Sequence, residues 1–270
     1  MNDTLQFTTD LARRTGRLLL DYYKVGGSET RLKSDYTVVT EADLAADSLV
    51  TGAIREAYPQ DLVLSEELHP ALPPEHAGAV WVVDPLDGTT NFSLGLPVWG
   101  VSIARVVDGI PETAVNFFPL IGELYTAHKG KGAYMNGERI QAQEPVKGKP
   151  TTYFACCGHT HRQYHVSVPY KPRILGSAAY NFCAVARGIA VLGFEATAKV
   201  WDLAAAWLLV PEAGGVIEAH HGRAAFPLVP GLDYTALAFP TLAAATTKMV
   251  ARGRDMIRIK ESEGDWTKDK

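Results

Sequence analysis

No stretch of this sequence approaches the roughly 20 consecutive apolar residues that a membrane-spanning helix requires, so no transmembrane segment is expected. Cysteine is scarce. Cys156, Cys157 and Cys183 are an odd set without the spacing of a disulfide framework, which predicts free thiols in a reducing compartment. No grouping of His and Cys has the spacing of a zinc site. No basic block dominates the chain and the net charge is −4, which gives nucleic-acid binding little support. The first residues, MNDTLQFTTDLARRTGRLLLDYYK, place charges inside their apolar pattern and lack the ordered regions of a signal peptide. These absences predict a cytoplasmic protein without membrane or nucleic-acid partners.

What is present is an ordinary globular composition: 270 residues, 47% hydrophobic and 21% charged, enough for one large domain or two closely joined halves. Residues 5–24 carry Leu11, Thr15, Leu18, Leu19 and Tyr22 near a 3.6-residue period and meet Gly26-Gly27, which predicts an amphipathic helix. A second helix is expected over 41–57, opened by a Thr40/Asp43 capping pair. LVLS (62–65) and AVWVV (79–83) predict short buried strands, separated by a proline-rich surface loop. Residues 98–107, ETAVNFF and ELYTAH follow, punctuated by Asp108-Gly109 and Asn136-Gly137 turns, so an antiparallel sheet is expected here. QAQEPVKGKP (141–150) is polar and breaker-rich. It suggests a boundary between a 1–145 half and a 146–270 half. In the second half, strands are expected at 151–156, 189–194 and 216–219. Helices are expected at 177–187, 202–213 and 241–258. The tail ESEGDWTKDK is expected to fray.

The chemistry concentrates in WVVDPLDGTTNF (81–92). An apolar strand runs into Asp84, Pro85 biases that residue toward extended backbone, Asp87 follows three residues on, and Gly88 permits a tight turn. Two carboxylates close together at the end of a buried strand repel each other and need a compensating charge. A divalent cation supplies it, and an oxygen-only donor set selects a hard ion, Mg²⁺ before Mn²⁺ or Ca²⁺. Gly88-Thr89-Thr90 then offers backbone amides and hydroxyls beside that ion, an arrangement suited to an anion. Read alone, Asp-Gly after a strand is a turn, Ser65-Glu66-Glu67 a solvated acidic corner, and Asp43 and Asp202 helix-capping residues.

Those segments recur together in one arrangement. TEAD (40–43), SEE (65–67), WVVDPLDGTTNF (81–92) and WDLAAAWLLVPEAGG (201–215), in this order, resemble the inositol monophosphatase family. ELYTAHKGKGAYMNGERI (123–140) and LGSAAYNFCAVARG (175–188) do so as well, and the likeness spans about residues 5–258. The resemblance implies a layered α-β-α-β-α sandwich of the sugar-phosphate phosphatase type, an α/β (α+β) fold with mixed and antiparallel sheets, and a homodimer. It implies two to three Mg²⁺ per site, with Mn²⁺ as a substitute. Glu66, Asp84 and the Leu86 carbonyl would hold the first, Asp84, Asp87 and Asp202 the second, with a weaker third near Glu66. Asp43 and Thr89 match the pair that activates the attacking water, with Glu66 completing the catalytic group. Gly88 and Thr89 would grip the phosphate, and Glu195 and Asp202 would face the rest of the substrate. Lithium inhibition is implied too.

The expected activity is hydrolysis of a small soluble phosphate monoester, with myo-inositol monophosphate first. Fructose 1,6-bisphosphate, histidinol phosphate and 3′-phosphoadenosine 5′-phosphate need the same metal machinery and differ only at the rim. That rim departs from animal members of the family: SLGLPVWG follows Phe92, and ATAKV precedes Trp201. Lys199 is a candidate receptor for a second phosphate, against the plain reading of a solvated lysine. His159 and His161 are expected on a surface loop, Cys156 and Cys157 as buried or half-buried thiols in a strand, and Lys33 as a source of local positive potential. Two other readings compete. One is an aspartyl-nucleophile phosphatase of the haloacid dehalogenase type. Against it, D-P-L-D-G is one residue longer than that motif and the parallel βαβ pattern is missing. The other is a catalytically silent metal- or ligand-binding member of the fold.

Overall fold

The computed structural model describes residues 3–24, 26–27, 31–32, 38–67, 78–146 and 152–260. Lys33, most of the proline-rich loop, residues 147–150 of the polar boundary segment and the terminal ESEGDWTKDK lie outside the described residues. In chain order the elements are α1 (Asp3–Tyr22), β1 (Arg31–Leu32), β2 (Val38–Val39), α2 (Glu41–Ala57), β3 (Leu62–Ser65), β4 (Val80–Asp87), α3 (Thr89–Ser93), β5 (Gly100–Val107), β6 (Ile110–Phe118), β7 (Glu123–His128), β8 (Ala133–Met135) and β9 (Glu138–Arg139). They continue with β10 (Tyr153–Cys156), α4 (Thr160–Gln163), β11 (Tyr164–Val166), β12 (Pro172–Arg173), α5 (Ala178–Ala186), β13 (Ala190–Glu195), α6 (Val200–Leu203), α7 (Ala206–Glu212), β14 (Val216–Ala219), β15 (Thr241–Ala244), α8 (Thr247–Met256) and β16 (Ile257–Ile259).

Two sheets organise the chain. Strands β3 to β9 form a seven-stranded sheet in sequence order, antiparallel except where β3 runs parallel to β4. The second sheet has the order β12-β10-β13-β15-β14 and is mixed. Side chains on a strand alternate between faces, and β4 shows the consequence. Trp81 and Val83 join Leu11, Ala46, Val50 and Ile54 from α1 and α2 in one buried cluster. Val80 and Val82 point the other way and join Phe182, Leu209 and Ala243, from α5, α7 and the second sheet. Beyond that sheet a third cluster packs Phe154, Phe194 and Leu242 against Val250 of α8. The layers therefore read α-β-α-β-α, as the resemblance implies. Burying a large aliphatic side chain is worth roughly 1.5–3 kcal/mol, so these clusters bind the layers together.

Two helices differ from the sequence expectation. The stretch 241–258 is not one helix. Thr241–Ala244 is a strand paired on both edges, to β13 and β14, with every residue buried, and only Thr247–Met256 is helical. Ala-rich sequence favours helix intrinsically, but burial between two strands outweighs a preference worth a few tenths of a kcal/mol per residue. The stretch 202–213 starts earlier, at Val200, and breaks into α6 and α7, with Pro211 in the last turn of α7.

Candidate active site

The apolar strand β4 carries its carboxylates further into the protein than the sequence suggests. It continues to Asp87, and all eight of its residues are buried. Its register against β5 shifts between Asp84 and Asp87. That irregularity, centred on Pro85-Leu86, lets Asp84 and Asp87 both reach one cavity from a strand whose pleat would otherwise separate them. The Asp84 carboxylate accepts the Leu86 N–H at 3.0 Å. Gly88 then turns the chain with φ +87° into α3, and a Cβ there would lie 3.0 Å from the Val98 carbonyl oxygen, so only glycine fits.

Other elements converge on the same point. β3, parallel to β4, delivers Glu66. The carboxylate of Asp47 on α2 accepts the Ser65 hydroxyl at 2.9 Å and the Glu67 N–H at 3.3 Å, which fixes this corner. Asp202 enters from α6, its carboxylate accepting the Lys199 N–H at 2.8 Å. Glu66, Asp84 and Asp202 each place a carboxylate oxygen within 4.8 Å of the others. Asp87 is clamped by α5. It accepts the Ser177 hydroxyl through a short hydrogen bond and the Ala178 N–H at 3.1 Å. Asn91 ties the rim together by donating to the carbonyls of Val98 (2.6 Å) and Leu175 (2.7 Å). It sits so near Gly176 (φ +76°) that a Cβ there would meet its amide at 2.7 Å.

The result is a cavity of about 410 Å³ lined by Glu66, Asp84, Leu86, Asp87, Gly88, Thr89, Glu195 and Asp202, and further by Cys157, Ser177 and Asn181. Asp43 stands behind it, 1% exposed. It forms the capping box with Thr40 and also accepts the Thr89 hydroxyl at 3.0 Å. Asp43 is thus both the capping residue of α2 and the partner of a residue that lines the cavity. The Leu86 carbonyl accepts the same Thr89 hydroxyl at 3.0 Å. Burial, then repulsion from Glu66 and other acids, pushes the Asp84 and Asp202 carboxyls well above the usual range. Burial pushes Asp87 up to about 6 against the opposing Ser177 hydrogen bond, and Glu195 up to about 7 against that of Asn181. The charged side chains lining the described cavity are all carboxylates, a set that requires cations to be ionised together.

Several residues fall elsewhere. Lys199 does not line the cavity; its ammonium donates to the Thr235 carbonyl at 2.5 Å. His159 and His161 are exposed. Cys156 is buried and Cys157 half-buried, with burial pushing the Cys156 thiol up to about 12. Sequence reasoning missed Asp47, Ser177 and Asn181. Asp47 had a signal: it lies four residues after Asp43, on the same face of α2. Ser177 reads as an ordinary N-cap, which it also is, through the Tyr180 N–H.

A histidinol-phosphatase of Chlorobaculum parvum is 34% identical over 83% of this chain and 88% of its own length. The Nus factor SuhB of Escherichia coli K12 is 35% identical over 82% and 87%. A fructose-1,6-bisphosphatase/inositol-1-monophosphatase of Thermotoga maritima is 32% identical over 83% and 87%. Among solved structures, a T. maritima inositol monophosphatase superposes with a TM-score of 0.76 at 26% identity, covering 94% of this chain and 98% of that one. Residues 1–254 match the inositol monophosphatase family, and with this cavity at its centre the chain belongs to that family of phosphoric monoester hydrolases.

Proposed function

We propose that the protein uses Mg²⁺ to hydrolyse phosphate monoesters of small soluble metabolites, with a myo-inositol monophosphate as first substrate. The observation that carries this reading is the group of buried Asp84 with half-buried Glu66 and Asp202, beside buried Asp87. Oxygen-only donors at this spacing fit a hard divalent ion. Glu66, Asp84 and the Leu86 carbonyl would hold one Mg²⁺, and Asp84, Asp87 and Asp202 a second, with a third weaker position near Glu66. Bound there, the ions would neutralise phosphate oxygens, ease deprotonation of water and stabilise the leaving oxygen.

The chain's own groups complete the chemistry. Thr89 Oγ is placed to accept a proton from a water attacking phosphorus and to pass its own to Asp43, 3.0 Å away. Asp43 is held for this by the Thr40 N–H at 2.7 Å and the Thr40 hydroxyl. Gly88 and Thr89 line the cavity at the start of α3, where the first N–H groups of a helix lack intrahelical partners and would grip a phosphate. No side chain needs to act as a nucleophile, because phosphoryl transfer asks mainly for positioning and charge stabilisation. Histidinol phosphate is the second reading, favoured by the 34% identical relative that carries that name. Three unpaired cysteines support a reducing, cytoplasmic setting, and light scattering tests the homodimer that the resemblance implies. The deciding experiment is phosphate release from inositol 1-phosphate, histidinol phosphate, fructose 1,6-bisphosphate and 3′-phosphoadenosine 5′-phosphate, each with Mg²⁺ and with EDTA. Mg²⁺-dependent release supports the reading. Mg²⁺ binding without release from any substrate replaces it with a silent member of the fold.

A further inference from the structure

Cys157 and Gly158 line the cavity, yet the segment that follows them has little core of its own. Helix α4 is four residues long; Thr160 is buried, and His161, Arg162 and Gln163 are exposed. Thr160 folds back on the cavity edge, its N–H donating to the Cys157 carbonyl at 3.2 Å and its hydroxyl lying 3.4 Å from the Cys157 thiol. The last carbonyls of a helix have no intrahelical partners. Lys260 supplies donors to two of them: its N–H to the Gln163 carbonyl and its ammonium to the His161 carbonyl, both at 2.9 Å. Lys260 follows β16, which pairs antiparallel with β11 directly after α4, Tyr164 opposite Ile259 and Val166 opposite Ile257. Among the described residues these two strands form a separate ribbon, and a two-stranded ribbon is marginal by itself. Support comes from the residues just after β14. The His221 ring is hydrogen-bonded to the Tyr164 hydroxyl at 2.8 Å, and His220 Nε2–H donates to the Ile257 carbonyl at 2.8 Å. Tyr164 also meets Phe194 of β13 edge-on, with ring centroids 4.9 Å apart.

We infer that β16 is a strap for the active site, and that Lys260 and His221 are positioning residues that hold Cys157-Gly158 as an edge of the cavity. Where it concerns substrate, this rests on the phosphomonoesterase reading above. The groups assigned to metal and water, Glu66, Asp84, Asp87, Asp202, Asp43 and Thr89, belong to or directly follow β3, β4, α6, α2 and α3. The strapped segment carries none of them. Slackening the strap should therefore weaken the hold on the ester while leaving phosphoryl transfer intact, which is read in KM rather than kcat. It should also uncover the Cys157 thiol, which is half-buried between the Thr160 hydroxyl and the Ala196 N–H. Removing one hydrogen bond changes such a local opening by about threefold to tenfold.

The test compares the full chain with Lys260→Met, Lys260→Arg and His221→Phe. Methionine keeps the apolar stem and loses the donor, arginine keeps a donor, and phenylalanine keeps a ring and loses the bond to Tyr164. Labelling of Cys157 by N-ethylmaleimide is followed in the native protein by peptide mass spectrometry. In parallel, kcat and KM are measured with Mg²⁺ on whichever of the four substrates above is hydrolysed fastest. Lys260→Met and His221→Phe should each label Cys157 about threefold to tenfold faster and raise KM by a similar factor, with kcat within about twofold of wild type. Lys260→Arg should match wild type within about twofold in both readouts, a rescue that a merely structural loss would not show. Labelling and KM unmoved in Lys260→Met and His221→Phe, a fall in kcat at constant KM, or no rescue by arginine would each overturn the inference. If the wild type releases phosphate from no substrate, the phosphatase reading fails, and the labelling rates by themselves decide whether the strap holds the edge.

Discussion

Replacing Asp84 with Asn separates what the carboxylate cluster costs the fold from what it does for the reaction. Asp84, Glu66 and Asp202 have oxygens within 4.8 Å of one another. Two unit charges at that distance repel by about 3.5 kcal/mol at an effective dielectric of about 20. Asp84 faces two such neighbours. Burial first, and this repulsion second, push the Asp84 and Asp202 carboxyls upward, so that without metal the cluster relieves the repulsion by holding protons, at about 1.4 kcal/mol for each pKa unit. Asn at position 84 can still accept the Leu86 N–H, and its amide can donate toward a facing carboxylate. In EDTA near pH 7.5 the variant should therefore be more stable than wild type by roughly 1–3 kcal/mol, or about 2–6 °C in Tm. Mg²⁺ should raise the wild-type Tm through mass action and the variant's much less, while turnover falls by about 100-fold or more. The assay is thermal unfolding by circular dichroism in EDTA and in Mg²⁺, alongside phosphate release. A variant less stable than wild type in EDTA refutes the electrostatic reasoning. One that keeps near wild-type turnover refutes the metal assignment.

Four further outcomes are expected. Ser177→Ala removes the hydroxyl that orients Asp87 and should raise the Mg²⁺ concentration needed for half-maximal activity by roughly 10–100-fold, read from a Mg²⁺ titration. Thr89→Val breaks the link to Asp43 and should lower kcat by roughly 10²-fold with little change in KM; an equal rise in KM would count against a proton-transfer role. Asp87 and Glu195 bind protons more tightly folded than unfolded, with values raised to about 6 and about 7 from 3.8 and 4.5. Their contribution to metal-free stability therefore falls as pH rises from about 4 to about 7 and is level above that. Urea midpoints in EDTA across this range should show a slope that Glu195→Gln flattens. Lithium at tens of millimolar should inhibit by occupying the second metal position, and undiminished phosphate release would argue against an animal-like site.

Much of the candidate site was legible in the sequence because its parts are short and local. WVVDPLDGTTNF holds a buried strand, two acids and a glycine turn within twelve consecutive positions, and TEAD carries its capping box within four residues. The residues that escaped notice act across the chain. Ser177 reaches Asp87 from 90 positions away, Asn181 meets Glu195 across 14, and Asp47 holds Ser65 across 18. No local pattern encodes such partners. The same limit produced the error at 241–258, where an Ala-rich segment with helical propensity becomes a strand because β13 and β14 leave a gap that only extended backbone can fill.

The sequence by itself determined the class of chemistry: a buried apolar strand ending in clustered carboxylates has few stable uses other than binding a hard cation. Only the tertiary structure decided which groups surround it. It turned Lys199 away to Thr235, set Asn181 and Cys157 against Glu195, and made every charged side chain on the described cavity wall acidic. The physical reason is range. Strand pleating and turn geometry act over a few residues, whereas the electrostatics of a cavity depends on which distant segments the packed layers bring to one point.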